Sequence, residues 1–223
     1  MQEDGGPPLI APVSAAILAG GQSRRMGSDK ALLEAGGSTL LERAIRVLRL
    51  VSDDVFIVGR RVGYGAFGVP AIPDRFSNAG VLGGIATALR HARHTRTVIV
   101  GCDMPLLSAR LLRAIADADP DADAIVPIRE QAHTRQGGQH TFETLHAVYH
   151  RRCIRPIERR LAIGDLRVFG FFEDVTVRYL DEAWLREIEP TLMSMVNANT
   201  PAEFQRALEM LESERTAQED HGG

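Results

Sequence analysis

Short apolar runs alternate along the chain with longer segments in which apolar residues recur every three or four positions. The short runs mostly lack polar positions, which is typical of strands that are buried on both faces of a sheet. The longer segments have the period of amphipathic helices. In the first 130 residues the pattern predicts strands at 13–18, 55–58, 69–72, 97–100 and 124–128, and helices at 41–51, 83–92 and 106–118.

The pattern is less regular after about residue 135. It predicts strands at 144–149, 167–172 and 176–180, and helices at 150–162 and 181–189. A last helix begins after residues 197–203 and is expected to fade into a polar tail at 213–223.

Strands that alternate with helices predict an α/β fold, with a mainly parallel central sheet and helices on both of its faces. No internal repeat and no linker divides the chain, so we expect a single domain over residues 13–212. The acidic, glycine- and proline-rich residues 1–12 are expected to form a flexible N-terminal tail, and residues 213–223 a polar C-terminal tail.

Composition excludes several classes of protein. With 26 basic and 29 acidic residues in 223, the net charge is −3, whereas a general nucleic-acid-binding protein usually carries a basic face. No apolar run approaches the roughly 20 residues that a membrane span needs, and the N-terminus does not resemble a secretory signal. The two cysteines, Cys102 and Cys153, lack metal-ligand spacing, so we expect a reduced, cytoplasmic compartment.

The basic residues are unevenly divided, because 25 of them are arginine and one, Lys30, is lysine. A solvated position tolerates arginine in place of lysine, but a site that needs a compact ammonium on a flexible stem does not. This imbalance therefore directs attention to Lys30.

Lys30 lies in a glycine-containing loop that follows the first predicted strand, LAGGQSRRMGSDKALL over residues 18–33. Ligands of parallel sheets bind where strands end, and glycine lets backbone N–H groups approach phosphate oxygens. Arg24 and Arg25 add positive charge beside that backbone. The loop lacks the spacing of a Walker motif and of the dinucleotide fingerprint, so it predicts a different kind of phosphate site.

The pattern LAGGxxxRMGxDKxLL resembles the signature loop of the molybdenum cofactor guanylyltransferases, which belong to the wider group of sugar-1-phosphate and cofactor nucleotidyltransferases. The resemblance extends over about residues 13–211. It implies a single Rossmann-like nucleotidyltransferase domain, with a nucleotide-binding half over about 13–130 and an acceptor, or pterin, half over about 131–212. It also implies that the loop wraps GTP and that its lysine contacts the phosphates. The matching residues are Leu18, Ala19, Gly20, Gly21, Arg24, Arg25 and Lys30.

A carboxylate follows the fourth predicted strand, where the sequence reads TVIVGCDMP and Asp103 stands two residues before Pro105. A carboxylate at a strand end is suited to Mg²⁺, which keeps waters and substrate phosphates as its other ligands. The alternative is a cap of the next helix, for which Ser108 is the better candidate. The resemblance implies that Asp103 binds Mg²⁺ and contacts the nucleotide.

The segment VNANTPAE near the C-terminus contains two asparagines that helix initiation does not require. Thr200 and Glu203 have capping-box spacing around Pro201, which explains only the start of the last helix. The guanylyltransferases carry a similar N-x-N-T-P motif, whereas the related cytidylyltransferases usually resemble D-x-D-T-P. We expect Asn199 to complete the metal site, and Asn197 either to face the pterin or to hydrogen-bond within the turn.

Asp74 and Gly80 frame a second glycine-rich segment, IPDRFSNAGVLGG. A carboxylate can accept both N–H donors of guanine, and the resemblance places Asp74 and Gly80 in the nucleotide site. The alternative for Asp74 is a turn after proline. The family often has asparagine after its second strand, and Gly59 stands at the comparable position here.

Two further positions resemble the pterin side of the guanylyltransferases, His140 in GGQHT and Arg167 in GDLRV. Either could meet an anionic pterin, although a lone histidine or arginine is more often structural or solvated.

The resemblance implies transfer of GMP from GTP to the terminal phosphate of molybdenum-loaded molybdopterin, with pyrophosphate released and Mg²⁺ as cofactor. Asp103 would hold the metal, while Lys30 and Arg24 would stabilise the leaving pyrophosphate. Other molybdenum cofactor biosynthesis proteins and recipient molybdoenzymes are possible partners. The alternatives are cytidylyl transfer to the same pterin, nucleotidyl transfer to a sugar phosphate, and a non-catalytic nucleotide sensor.

Overall fold

A computed structural model describes residues 11–19, 30–35, 37–59, 63–76, 78–130, 140–198 and 200–220. Within these residues eight strands form one sheet. They are β1 (Ser14–Leu18), β4 (Asp54–Val58), β5 (Ala71–Ile72), β6 (Arg96–Gly101), β7 (Ala124–Glu130), β8 (His140–Phe142), β9 (His146–His150) and β10 (Val177–Leu180). The short strands β2 (Glu34–Ala35) and β3 (Ser38–Thr39) pair separately.

The strand order is β10-β7-β9-β6-β1-β4-β5, and β8 pairs with β7. Strand β1 is parallel to both of its neighbours, β4 is parallel to β5, and β7 is parallel to β10. Strand β9 runs antiparallel between β6 and β7, and β8 is antiparallel to β7. Since β9 is antiparallel to both of its neighbours, β6 and β7 point the same way and end at the same edge of the sheet.

Helices cover both faces of this sheet. They are α1 (Leu40–Val51), α2 (Gly80–His91), α3 (Ala109–Asp117), α4 (Ile154–Ala162) and α5 (Glu182–Ile188). Helix α6 (Pro201–Asp220) instead packs in a separate buried cluster with residues such as Leu33 and Leu106. Helices α1, α3 and α5 share one buried cluster with alternate strand residues such as Ile17, and α2 and α4 share a second cluster with Ala16. The α/β fold with a mainly parallel sheet and helices on both faces is therefore confirmed.

Side chains cap the starts of two helices, and for α3 the cap is the one that the sequence predicted. The Thr39 hydroxyl accepts from the Glu42 amide at 3.1 Å, and the Glu42 carboxylate accepts from the Thr39 amide at 2.7 Å. The Ser108 hydroxyl accepts from the Leu111 amide at 3.2 Å and caps α3. Asp103 is therefore not the cap of α3.

The predicted strand at 167–172 is wrong, because Val168–Asp174 forms 3-10 helix instead. Phe171 and Phe172 are consecutive and both buried in the same cluster, whereas a strand would send them to opposite faces. Gly170 lies against the Asp165 carboxylate, where an added Cβ would come within 2.8 Å of Oδ2.

Other elements differ in extent from their predictions. Helix α2 begins at Gly80 rather than at 83, β5 is only two residues long, and β9 begins two residues later than predicted. Helix α6 continues to Asp220, through most of the segment that the sequence suggested was a polar tail. No helix among the described residues is long and apolar enough to cross a membrane.

Candidate active site

The carboxyl ends of β1, β4 and β6 lie side by side at one edge of the sheet. Leu18 is in register with Val58 on one side and with Gly101 on the other. Beyond this row the Ala19 amide still donates to Val58 and the Cys102 amide donates to Leu18. The order of the strands reverses at β1, which is where open α/β sheets bind their ligands.

The predicted phosphate loop leaves the sheet at this position. Leu18 and the buried Ala19 end the first strand, as the sequence predicted. Gly20, Gly21 and Arg24 lie outside the described residues, as does the Lys30 side chain, although the backbone of 30–32 forms a turn of 3-10 helix. The sheet therefore places the start of the loop at the candidate site.

Asp103 lies two residues beyond β6, in a turn at the same edge. Its side chain is partly buried, and it forms no ion pair with the described basic residues. The carboxylate folds back over Gly101, where an added Cβ would lie 2.6 Å from Asp103 Oδ1. A carboxylate at a strand end, with no ion-pair partner in the described part of the chain, suits a hard divalent cation.

The segment with the two asparagines is joined directly to the Asp103 turn. The Ala198 amide donates to the Asp103 carbonyl at 2.7 Å, and Ala198 is fully buried. Asn197 is exposed on one side of this anchor, and Asn199, on the other side, lies outside the described residues. The fold thus brings together two motifs that are almost 100 residues apart in the chain.

Asp74 has a structural task in addition to its predicted one. Its Oδ1 accepts hydrogen bonds from the Phe76 amide at 3.0 Å and from the Thr87 hydroxyl at 2.8 Å. These bonds fix the turn after β5 to helix α2, so the turn alternative accounts for one carboxylate oxygen. Gly80, the first residue of α2, has a left-handed φ of 58° and is exposed.

The predicted pterin-side residues differ in what they contact. The His140 backbone belongs to β8, while its side chain lies outside the described residues. Arg167 donates two hydrogen bonds of 2.9 Å to Asp165, which lowers the pKa of that carboxyl to about 2. Its guanidinium also lies 5.8 Å from the Phe169 ring centroid. Much of the hydrogen-bonding capacity of the Arg167 guanidinium is therefore used within the protein.

Sequence reasoning missed a group of polar side chains beside this edge, in which Glu143 and His146 are buried and Arg129 is partly exposed. Arg129 Nε and Nη2 lie 2.7 and 2.6 Å from Glu143 Oε1, and Glu143 is 8% exposed. His146 is fully buried, with no hydrogen-bond partner at either ring nitrogen among the described residues. Burial, and then the charge of Arg129, lower the pKa of His146 to about 4.

Comparison with known proteins identifies the family. Residues 15–175 match the MobA-like NTP transferase domain. A probable molybdenum cofactor guanylyltransferase of Pelotomaculum thermopropionicum is 37% identical over 201 residues, covering 90% of this chain and 94% of the relative. A molybdenum cofactor guanylyltransferase of Desulfosudis oleivorans is 33% identical over 198 residues, covering 87% and 94%. The chain belongs to the molybdenum cofactor guanylyltransferase family.

Solved structures agree with membership in this family. The molybdopterin-guanine dinucleotide biosynthesis protein A of Archaeoglobus fulgidus superposes with a TM-score of 0.73 at 25% identity, covering 90% of this chain and all of that one. A 2-C-methyl-D-erythritol 4-phosphate cytidylyltransferase of Thermus thermophilus has a TM-score of 0.64 at 16% identity, covering 91% and 100%. The second likeness shows the fold alone, so the fold by itself does not select the nucleotide. As a family member the chain is a nucleotidyltransferase.

Gly101 gives a test of the guanylyltransferase site that leaves every charge in place. In Gly101→Ala the new Cβ would meet Asp103 Oδ1, and the carboxylate must move. Because a misplacement of about 1 Å in a reactive group can cost about a hundredfold in rate, we expect turnover to fall by about ten- to a hundredfold. The free energy of unfolding should change by less than about 1 kcal/mol, since a flexible side chain can yield.

Steady-state turnover and thermal unfolding of the same preparation measure the two effects. Gly65→Ala is the matched control, because nothing lies within 4 Å of the Cβ position there. Full activity in Gly101→Ala would show that the position of the Asp103 carboxylate does not matter.

Proposed function

We propose that the chain transfers GMP from GTP to the terminal phosphate of molybdopterin carrying molybdenum, and releases pyrophosphate. The observation that carries the proposal is the Asp103 carboxylate, folded over Gly101 at the edge where the phosphate loop begins. The names of the relatives supply the two substrates.

A divalent metal fits this site, and nucleotidyltransferases of this family generally use one. We assign Mg²⁺, with Asp103 as its carboxylate ligand and Asn199 as its second protein partner. Bound there, the metal would neutralise charge on the triphosphate.

The chemistry requires positioning rather than covalent catalysis. An oxygen of the acceptor phosphate attacks the α-phosphorus of GTP, and the bond from that phosphorus to the bridging oxygen of the β-phosphate breaks. The released pyrophosphate carries away the electron pair. Lys30 and Arg24, both in the loop after β1, neutralise the charge that develops on it.

On the nucleotide side, the backbone after Leu18 and Ala19 cradles the phosphates, and Asp74 and Gly80 lie beside the base or ribose. Asp74 Oδ2 accepts no hydrogen bond from the described residues, because both partners use Oδ1. That oxygen is the one available for a donor of the nucleotide.

Nucleotide choice separates this proposal from cytidylyl transfer. With molybdenum-loaded molybdopterin as acceptor, we expect kcat/KM for GTP to exceed that for CTP by about a hundredfold or more. A site built to hydrogen-bond one base leaves buried polar groups unpaired when it holds the other. Pyrophosphate release, measured with each nucleotide, gives both constants.

The same assay tests the remaining alternatives. Equal or better use of CTP would establish cytidylyl transfer, and success only with a sugar phosphate would change the acceptor class. GTP binding without turnover on any acceptor would indicate a nucleotide sensor.

A further inference from the structure

An ion pair stands at the carboxyl end of β7, on the side of Asp103 away from the nucleotide residues. Arg129 lies near the end of β7, and Glu143 lies in the turn between β8 and β9. One carboxylate oxygen, Glu143 Oε1, accepts from both Nε and Nη2 of Arg129. The other edge of the guanidinium, at Nη1, is not bonded to any of the described residues.

The burial of this pair is uneven. The Glu143 side chain is 10% exposed and the Arg129 side chain is 37% exposed. A buried carboxylate is costly, and a buried ion pair is in general weak support for stability. Its geometric effect is definite, however, since the Glu143 carboxylate holds the guanidinium through Nε and Nη2 and leaves Nη1 without a partner among the described residues. A guanidinium fixed in this way can donate two parallel hydrogen bonds to a phosphate.

The sheet places the pair close to the reaction centre. Strands β6 and β7 are parallel and separated by β9 alone, so their carboxyl ends lie roughly 10 Å apart across the sheet. Asp103 follows β6, and Arg129 is the penultimate residue of β7. That separation is about the span of a metal-bound phosphate and its immediate neighbour.

The opposite side of Asp103 is occupied by the assigned nucleotide residues. The phosphate loop follows β1, and Asp74 follows β5, both beyond β6 in the strand order. In-line transfer requires the attacking oxygen and the leaving oxygen on opposite sides of the α-phosphorus. The attacking phosphate must therefore approach from the direction of β9, β7 and β8.

Other groups near Arg129 are compatible with an anion. Thr141 of β8 is the cross-strand partner of Arg129, so the two side chains share a face at roughly 5 Å between Cβ atoms. The Thr141 hydroxyl forms no hydrogen bond to the described residues and is a second donor. The buried His146, whose pKa is lowered in part by the charge of Arg129, is neutral above about pH 4 and adds no negative charge.

From this placement we infer that Arg129, oriented by Glu143 and assisted by Thr141, binds the attacking phosphate of the acceptor. The inference rests on the proposed function, because it identifies where the acceptor of that reaction is held. Arg129 is the residue that contacts substrate, and Glu143 is a positioning residue.

The test compares two variants that share one substitution. Arg129→Ala alone would leave the buried Glu143 carboxylate without its ion-pair partner and could destabilise the fold. Glu143→Gln is therefore combined with it. The single variant Glu143→Gln retains the guanidinium, and the double variant Arg129→Ala/Glu143→Gln lacks it. We expect the double variant to have an acceptor KM about tenfold or more above that of the single variant, with the KM for GTP equal in both.

Two further measurements complete the design. Titration with molybdopterin in the absence of GTP should show the same loss of affinity in the double variant, independent of turnover. Arg155→Ala removes an exposed arginine from the distant helix α4 and should leave both constants unchanged.

Each outcome has a definite meaning. An acceptor KM in the double variant equal to that of Glu143→Gln would overturn the inference, and so would a parallel rise in the KM for GTP. Wild-type protein that binds molybdopterin through Arg129 but transfers no GMP would overturn the proposed function and leave the phosphate site standing. Wild-type protein that binds no molybdopterin would overturn both.

Discussion

Asp103→Asn is expected to lower kcat at saturating Mg²⁺ by at least about a hundredfold, while the protein remains folded. The substitution keeps the size of the side chain and removes its charge. Since Asp103 has no ion-pair partner among the described residues, no buried cation is left behind in the variant. The Ala198 amide bonds to the Asp103 carbonyl rather than to its side chain, so the link to the asparagine segment should persist.

A metal titration distinguishes this result from general damage. The variant should need more Mg²⁺ for half-maximal activity, or should fail to respond to it, and its thermal unfolding should match the wild type. Asp121→Asn, which removes an exposed charge near the opposite end of β7, serves as the control. A wild-type Mg²⁺ response in Asp103→Asn would remove this carboxylate from the metal site.

Much of the fold was predictable because its central strands carry a simple signal. Segments such as 98–100 are apolar at every position, and the structure buries all of β6 between neighbours on both sides. The start of helix α1 is indicated by the Thr39–Glu42 capping box, whose geometry depends only on local sequence. Where such local signals exist, pattern and structure agree.

The errors lie where tertiary contacts override the pattern. The segment around Phe171 and Phe172 has the composition of a strand, but both rings are drawn into one cluster beneath helix α4. The antiparallel course of β9 likewise depends on pairing with β6 and β7, which are distant in the chain. Neither of these long-range contacts can be predicted from a short window of sequence.

The residues of the candidate site likewise fall into those with a local sequence signal and those that depend on tertiary contacts. The positions of Asp103 and of the loop after β1, each following a strand, were predictable, because a strand followed by a glycine or a carboxylate is a local signal. The role of Gly101 was not, since it arises from a side chain that folds back from two residues ahead. Arg129 and Glu143 meet only because β8 returns along β7, and an isolated Arg or Glu in sequence predicts nothing specific.

His146 was hidden for a similar reason. In the sequence LHAVY it occupies the inward position of a short strand, where an apolar residue would ordinarily stand. The structure places it opposite Val100 with both ring nitrogens buried and unpaired among the described residues. Such a group is tolerated only while it is neutral, because an imidazolium without hydrogen bonds is strongly disfavoured in an apolar interior.

The protein is therefore expected to lose stability as the pH falls from about 6.5 to about 4. The pKa of His146 is about 4 when folded and about 6.5 when unfolded, so only the unfolded chain binds the proton between these values. The free energy of unfolding rises with pH across this window, and the full contribution is present above it. A difference of this size corresponds to about 3 kcal/mol, which is a large share of the stability of a small domain.

Denaturant unfolding at a series of pH values measures the effect, and His146→Leu isolates it. The depressed pKa of His150 acts in the same direction, and the lowered pKa values of Asp123 and Asp165 act at lower pH, so the difference between wild type and variant is the decisive quantity. We expect His146→Leu to equal or exceed the wild type at pH 7 and to keep about 3 kcal/mol more of its stability near pH 4, whereas exposed His91→Gln should follow the wild type. Parallel pH profiles for His146→Leu and wild type would mean that the buried imidazole acquires its proton without cost, from a rearrangement that supplies the missing partner.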